Sequence, residues 1–122
     1  MLSRIRQIAV AVADLGASKS FYGDRLGLPL VFEVPGQLVF FDLAGIWLML
    51  SAANEQEPAR PGSVLYFAVE DIHDAFRQLS ERGVEFIDHP HKVADMGEYE
   101  LWMCFFRDPD QTILAIRSEV AK

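Results

Sequence analysis

The sequence predicts an α+β fold made of one βαβββ unit written twice, and three matches within the chain carry that prediction. Val12-Ala13-Asp14-Leu15 is answered by Val69-Glu70-Asp71-Ile72, 57 positions later. Leu26-Gly27-Leu28 is answered by Arg82-Gly83-Val84, 56 positions later. Phe40-Phe41-Asp42 is answered by Phe105-Phe106-Arg107, 65 positions later. A near-constant offset at successive stages of a supersecondary unit marks an internal repeat. Two copies are too few to stack as a solenoid, so the expectation is one closed body with pseudo-twofold symmetry. The expected organisation is a single domain over residues 1–122, with a first module at 1–53, a linker at 54–62 and a second module at 63–122.

Each element follows from local pattern. Gln7 to Ala13 alternates Ile8, Val10 and Val12 with small Ala9 and Ala11, as a strand with one bulky face does. Asp14 is a helix N-cap, the helix carries Leu15, Ser18, Phe21, Tyr22 and Leu26 on one side, and Gly27 ends it. Strands follow at Leu30 to Val34, Leu38 to Leu43 and Ile46 to Ser51, separated by Pro35-Gly36 and Ala44-Gly45 turns. Pro58, Pro61 and Gly62 mark the linker. In the second module a strand at Val64 to Val69 precedes Asp71 as cap. The following helix has Ile72, Ala75, Phe76 and Leu79 at helical spacing, and Gly83 stops it. Strands are then expected at Val84 to Ile87, Glu100 to Phe106 and Thr112 to Arg117. The connection Asp88 to Tyr99 is read as a long loop, a candidate lid or ligand contact.

Composition narrows the function. With 51% apolar residues, the 122-residue chain has material for a packed core rather than a disordered one. A formal charge of −7 and the lack of a Lys/Arg stripe argue against a nucleic-acid partner. The single cysteine, Cys104, excludes an internal disulfide and suits a reducing compartment. The apolar stretch Ile8 to Ala13 is shorter than the roughly seven to fifteen residues of a signal core. No apolar run approaches the ~20 residues that span a bilayer. A cytoplasmic protein without a membrane partner is expected.

Phe21-Tyr22-Gly23-Asp24-Arg25-Leu26-Gly27-Leu28 and Phe106-Arg107-Asp108-Pro109-Asp110, set in two βαβββ units, resemble the vicinal oxygen chelate superfamily. That group includes glyoxalase I, bleomycin-resistance proteins, extradiol dioxygenases, fosfomycin-resistance enzymes and methylmalonyl-CoA epimerase. The second motif usually continues with Gly, where this chain has Gln111. The resemblance implies a glyoxalase/bleomycin-resistance-like fold, with a cup-shaped mixed sheet, and a homodimer. In metal-using members the cup holds a divalent cation on ligands from the first and last strands of each module. The matching positions here are Gln7, Met49, Val64 and Ala115. Valine and alanine offer no lone pair and a thioether is soft, so the set is poor metal chemistry. No metal and no cofactor is expected.

Strand alternation is expected to turn Gln7, Ala9, Trp47, Met49, Val64, Tyr66, Trp102, Cys104, Ile113 and Ala115 into the cup. That face would be apolar and aromatic, with His91 as a contact from the loop. Cys104 has no neighbouring base, and no Ser, His and Asp set forms a nucleophile context. Glu98 and Glu100 read first as a solvated edge. The reading is metal-independent binding of a small apolar or aromatic molecule. The alternatives are a lyase, isomerase or dioxygenase using an atypical site around Gln7, Tyr66 and the histidine loop, and a module acting in protein interaction.

Overall fold

The alternation of Ile8, Val10 and Val12 with alanines does form the first strand, β1 (Gln7–Val12). The computed structural model describes residues 1–60 and 62–122, and within it the chain divides into two compact units, Met1–Gly62 and Ser63–Lys122. Pro61, part of the expected linker 54–62, lies outside the described residues.

In the first unit, Asp14 caps α1 (Leu15–Ser20), its side chain accepting from the Ala17 amide at 3.0 Å, a bond worth about 1 kcal/mol. The helix widens into a π-helical turn at Phe21–Arg25, and Gly27 ends it at φ 77°. β2 (Leu30–Val34), β3 (Leu38–Leu43) and β4 (Ile46–Ala52) complete a four-stranded sheet in the order β1-β4-β3-β2. β1 runs parallel to β4 and the other pairs are antiparallel. One face of this sheet packs on the helical segment: Val12, Val39, Phe41, Leu48 and Leu50 are buried together with Phe21 and Tyr22. The Tyr22 and Phe41 rings lie 6.5 Å apart.

The second unit repeats the plan. β5 (Leu65–Ala68) leads to α2 (Ile72–Glu81), capped by Asp71, which accepts from the His73 and Asp74 amides at 3.1 Å each. β6 (His91–Asp95), β7 (Tyr99–Arg107) and β8 (Ile113–Ala121) join β5 in the order β5-β8-β7-β6, with β5 parallel to β8. Even the irregularities are duplicated. The β2–β3 register shifts between Leu30 and Phe32, and the β6–β7 register shifts between Lys92 and Ala94.

Two expectations change. The stretch Val84 to Ile87 is not a strand; Phe86 makes a single bridge to Phe106. Its apolar character serves packing instead, since Val84 is buried and the Phe86 ring stacks on Phe76 of α2 at 4.6 Å. The missing strand lies inside the expected loop Asp88 to Tyr99, as β6. An edge strand with one partner and the charged sequence His91-Lys92-Val93-Ala94-Asp95 lacks the alternation that signals burial. Among the described residues, no helix is long and apolar enough to cross a membrane.

Candidate functional site

Each sheet has one face on its helix and one helix-free face, and register decides which residues share the latter. In the first unit Gln7 pairs with Trp47, Ala9 and Phe40 both pair with Met49, and Asp42 pairs with Trp47. These residues lie on the face away from α1. Gln7 Nε2 reaches to 3.9 Å from the Met49 sulfur. Rings line the face: Phe32 and Phe40 are 6.5 Å apart, and Phe40 and Trp47 are 5.3 Å apart. The Arg6 guanidinium stacks over the indole of Trp47 at 5.0 Å and donates to the Gly45 carbonyl at 2.9 Å.

In the second unit Tyr66 and Phe105 both pair with Ala115, and Ala68 and Met103 both pair with Arg117. Tyr66 and Phe105 sit two strands apart, yet their rings meet edge to face at 6.0 Å because the residue between them is only alanine. Val64 stands just before β5 and is 38% exposed. His91 opens β6 opposite Met103, so it is an edge-strand residue rather than a lid. Its Nδ1 lies 2.8 Å from the His89 carbonyl and 3.8 Å from an Asp88 carboxylate oxygen. A neutral ring that donates from Nδ1 leaves Nε2 as an acceptor.

Trp102 and Cys104 do not share this face. Cys104 pairs with Ile116 and Trp102 with Ser118, on the side covered by α2, where the Trp102 ring meets His73 at 5.4 Å. The parity follows from Phe105 facing as Phe40 does, which puts Cys104 on the opposite side. Burial pushes the Cys104 thiol up to about 12, and the Asp88 carboxylate adds to the shift; the thiol also donates to the Asp88 backbone carbonyl at 3.2 Å. Such a thiol is no nucleophile at neutral pH. Glu100 is a poor base as well. Donation from Trp102 Nε1 at 3.1 Å, then from Lys92, holds its carboxyl below the usual range.

Sequence reasoning missed Phe40, Phe105, Met103, Arg6 and Arg117 on the helix-free faces. The signal for two of them was present. In each Phe-Phe pair of the repeat one ring must face the helix, Phe41 or Phe106, and the other must face away.

A model of the Glyoxalase/Bleomycin resistance protein/Dioxygenase superfamily matches residues 4–116. The chain belongs to this superfamily. Its α+β architecture of tandem βαβββ units is the fold of that superfamily's solved members. An uncharacterised protein of Bacillus subtilis (strain 168), YraH, is 30% identical over 126 residues, covering 93% of this chain and 96% of that one. Among solved structures, TnmS3, an antibiotic binding protein from Streptomyces sp. CB03234, is 25% identical with a TM-score of 0.74, over 97% of each chain. A lactoylglutathione lyase from Agrobacterium tumefaciens has a TM-score of 0.74 over 97% of this chain and 95% of that one. At 24% identity this is a likeness of fold.

The superfamily's metal positions do not suit a divalent cation in this chain. Gln7 turns its amide N–H toward the Met49 thioether, Val64 and Ala115 bring no donor atom, and Ala115 is fully buried. Catalytic sites hold their metals with about three protein ligands, mostly nitrogen and oxygen. Among the described residues, no group of three or more His, Cys, Asp or Glu side chains converges.

Proposed function

We propose that this superfamily member binds a small, flat, apolar or aromatic molecule on its helix-free sheet faces, without a metal. The observation that carries the reading is the replacement of ligand chemistry by ring surface. Phe32, Phe40 and Trp47 form a continuous aromatic row beside Met49, and Tyr66 and Phe105 meet over Ala115. Apolar walls with few polar groups are the usual lining of small-molecule sites. The likeness to TnmS3, an antibiotic binding protein, supports sequestration over turnover. In this reading residues 1–122 act as one domain, and the chain works in the cytoplasm as a homodimer. Leu30, Val31 and Phe32, exposed on β2, support self-association.

A two-ring ligand burying about 150 Å² of apolar surface at about 25 cal/mol per Å² gains about 4 kcal/mol, a millimolar-range affinity before ordering costs. The test is equilibrium dialysis of naphthalene against wild type and Met49→Glu. The variant sets an unpaired carboxylate among Phe40, Trp47 and Gln7, where ligand burial would strip its water. We expect at least tenfold weaker binding. Equal affinity, or no binding by wild type, contradicts the proposal.

A further inference from the structure

The two copies of the repeat differ most at one end of the helix-free face. Ala9, Ala11 and Ser51 of the first unit correspond by register to Tyr66, Ala68 and Arg117 of the second. Beyond the strand pairs, Ala13 and Ala53 are answered by Glu70 and Glu119. One copy has small, uncharged side chains there, while the other has a phenol, a guanidinium and two carboxylates. The first unit shows that the βαβββ frame forms without them.

Arg117 is the centre of this difference. Its side chain is 33% exposed and lines a depression of about 660 Å³ together with Tyr66, Ala68, Glu70 and Glu119. Its neighbours Ala68 and Ala115 are short, while Met103 pairs with it from β7. One N–H of the guanidinium, on Nη2, meets a Glu119 carboxylate oxygen at 3.2 Å. A guanidinium carries five N–H donors in a fixed fork, and the contact with Glu119 uses one of them. Stability does not account for the pair, because partly exposed ion pairs contribute about 0–1 kcal/mol.

We infer that Arg117 is the specificity determinant of the second unit's face, taking an oxygen acceptor on the rim of a flat aromatic ligand whose ring rests against Tyr66. The inference rests on the aromatic-ligand reading above and adds a polar pole to it. A carboxylate, a phenolate or a ring carbonyl would each present the required lone pairs. Every bond from the guanidinium is charge-assisted, and an anionic acceptor adds Coulomb attraction to it, so an anion gains more from Arg117. Glu70 on the rim opposes that gain, which keeps neutral carbonyls competitive.

Three probes of one ring size test this by equilibrium dialysis: naphthalene, neutral 2-acetylnaphthalene and anionic 2-naphthoate. Wild type should bind at least one acceptor probe five to ten times more tightly than naphthalene, and the better of the two identifies the acceptor class. Arg117→Met should bring both to the level of naphthalene measured on the same variant. Glu119→Gln releases the guanidinium and should tighten 2-naphthoate at least threefold. It also carries the test should Arg117→Met fail to fold. A preference that survives Arg117→Met, or a 2-naphthoate affinity unmoved by Glu119→Gln, overturns the inference. If naphthalene binds with no preference among the probes, this inference falls and the apolar reading stands. If none of the three binds, both fall.

Discussion

Cys104 lies one residue from Phe105, and the two side chains have opposite fates because strand side chains alternate. Phe105 joins Tyr66 on the helix-free face, while Cys104 is sealed beneath α2 with its thiol raised to about 12. The folded state therefore favours the protonated thiol. That contribution to stability is whole below the ordinary thiol value of about 8.5 and is lost as pH climbs from there toward 12. Iodoacetamide at pH 8 should label native protein at least a hundredfold more slowly than protein in denaturant. Equal rates would place the thiol in solvent. At this scale the sequence supplied residue chemistry reliably: the failure of Gln7, Met49, Val64 and Ala115 as a donor set is plain from their atoms. It did not supply facing for Trp102 and Cys104, because β7 is apolar on both faces, Leu101-Trp102-Met103-Cys104-Phe105-Phe106, and such a run has no parity of its own.

The elements were legible wherever a cap, a glycine or alternation punctuated them, and both helices and the β1–β4 set follow that rule. β6 gives no signal because an edge strand needs only one partner, and Val84 to Ile87 reads as a strand because core loops can be as apolar as strands. The turn between β7 and β8 shows a departure whose cost can be measured. Buried Asp108 accepts from the Asp110 and Thr112 amides at 2.9 Å each, which forces Gln111 to φ 67°. Left-handed backbone costs a non-glycine residue roughly 1–2 kcal/mol, partly offset by the entropy a glycine loses on folding. Gln111→Gly, which restores the residue usual in the superfamily's motif, should stabilise by about 0.5–1 kcal/mol and raise Tm by roughly 2–4 °C. A lowered Tm would show that the Gln111 side chain is needed.

At the scale of the whole chain, duplication provides two copies of one frame, and the copies differ on their helix-free faces. The first carries the row Phe32, Phe40 and Trp47 with Arg6 stacked on the indole. The second carries Tyr66 over Phe105 with Arg117 beside them. Of the four positions matched to the ligands of metal-using members, Gln7 carries an amide, while Met49, Val64 and Ala115 bring no nitrogen or oxygen donor. The central claim is that ring surface has taken over from metal as the means of holding a ligand. It is tested most directly by dialysing 2-acetylnaphthalene against the protein in parallel cells containing EDTA or excess Zn²⁺, Ni²⁺ or Mn²⁺. The account predicts one Kd, equal within twofold in every cell. Binding that vanishes in EDTA and returns with one of the metals would contradict it.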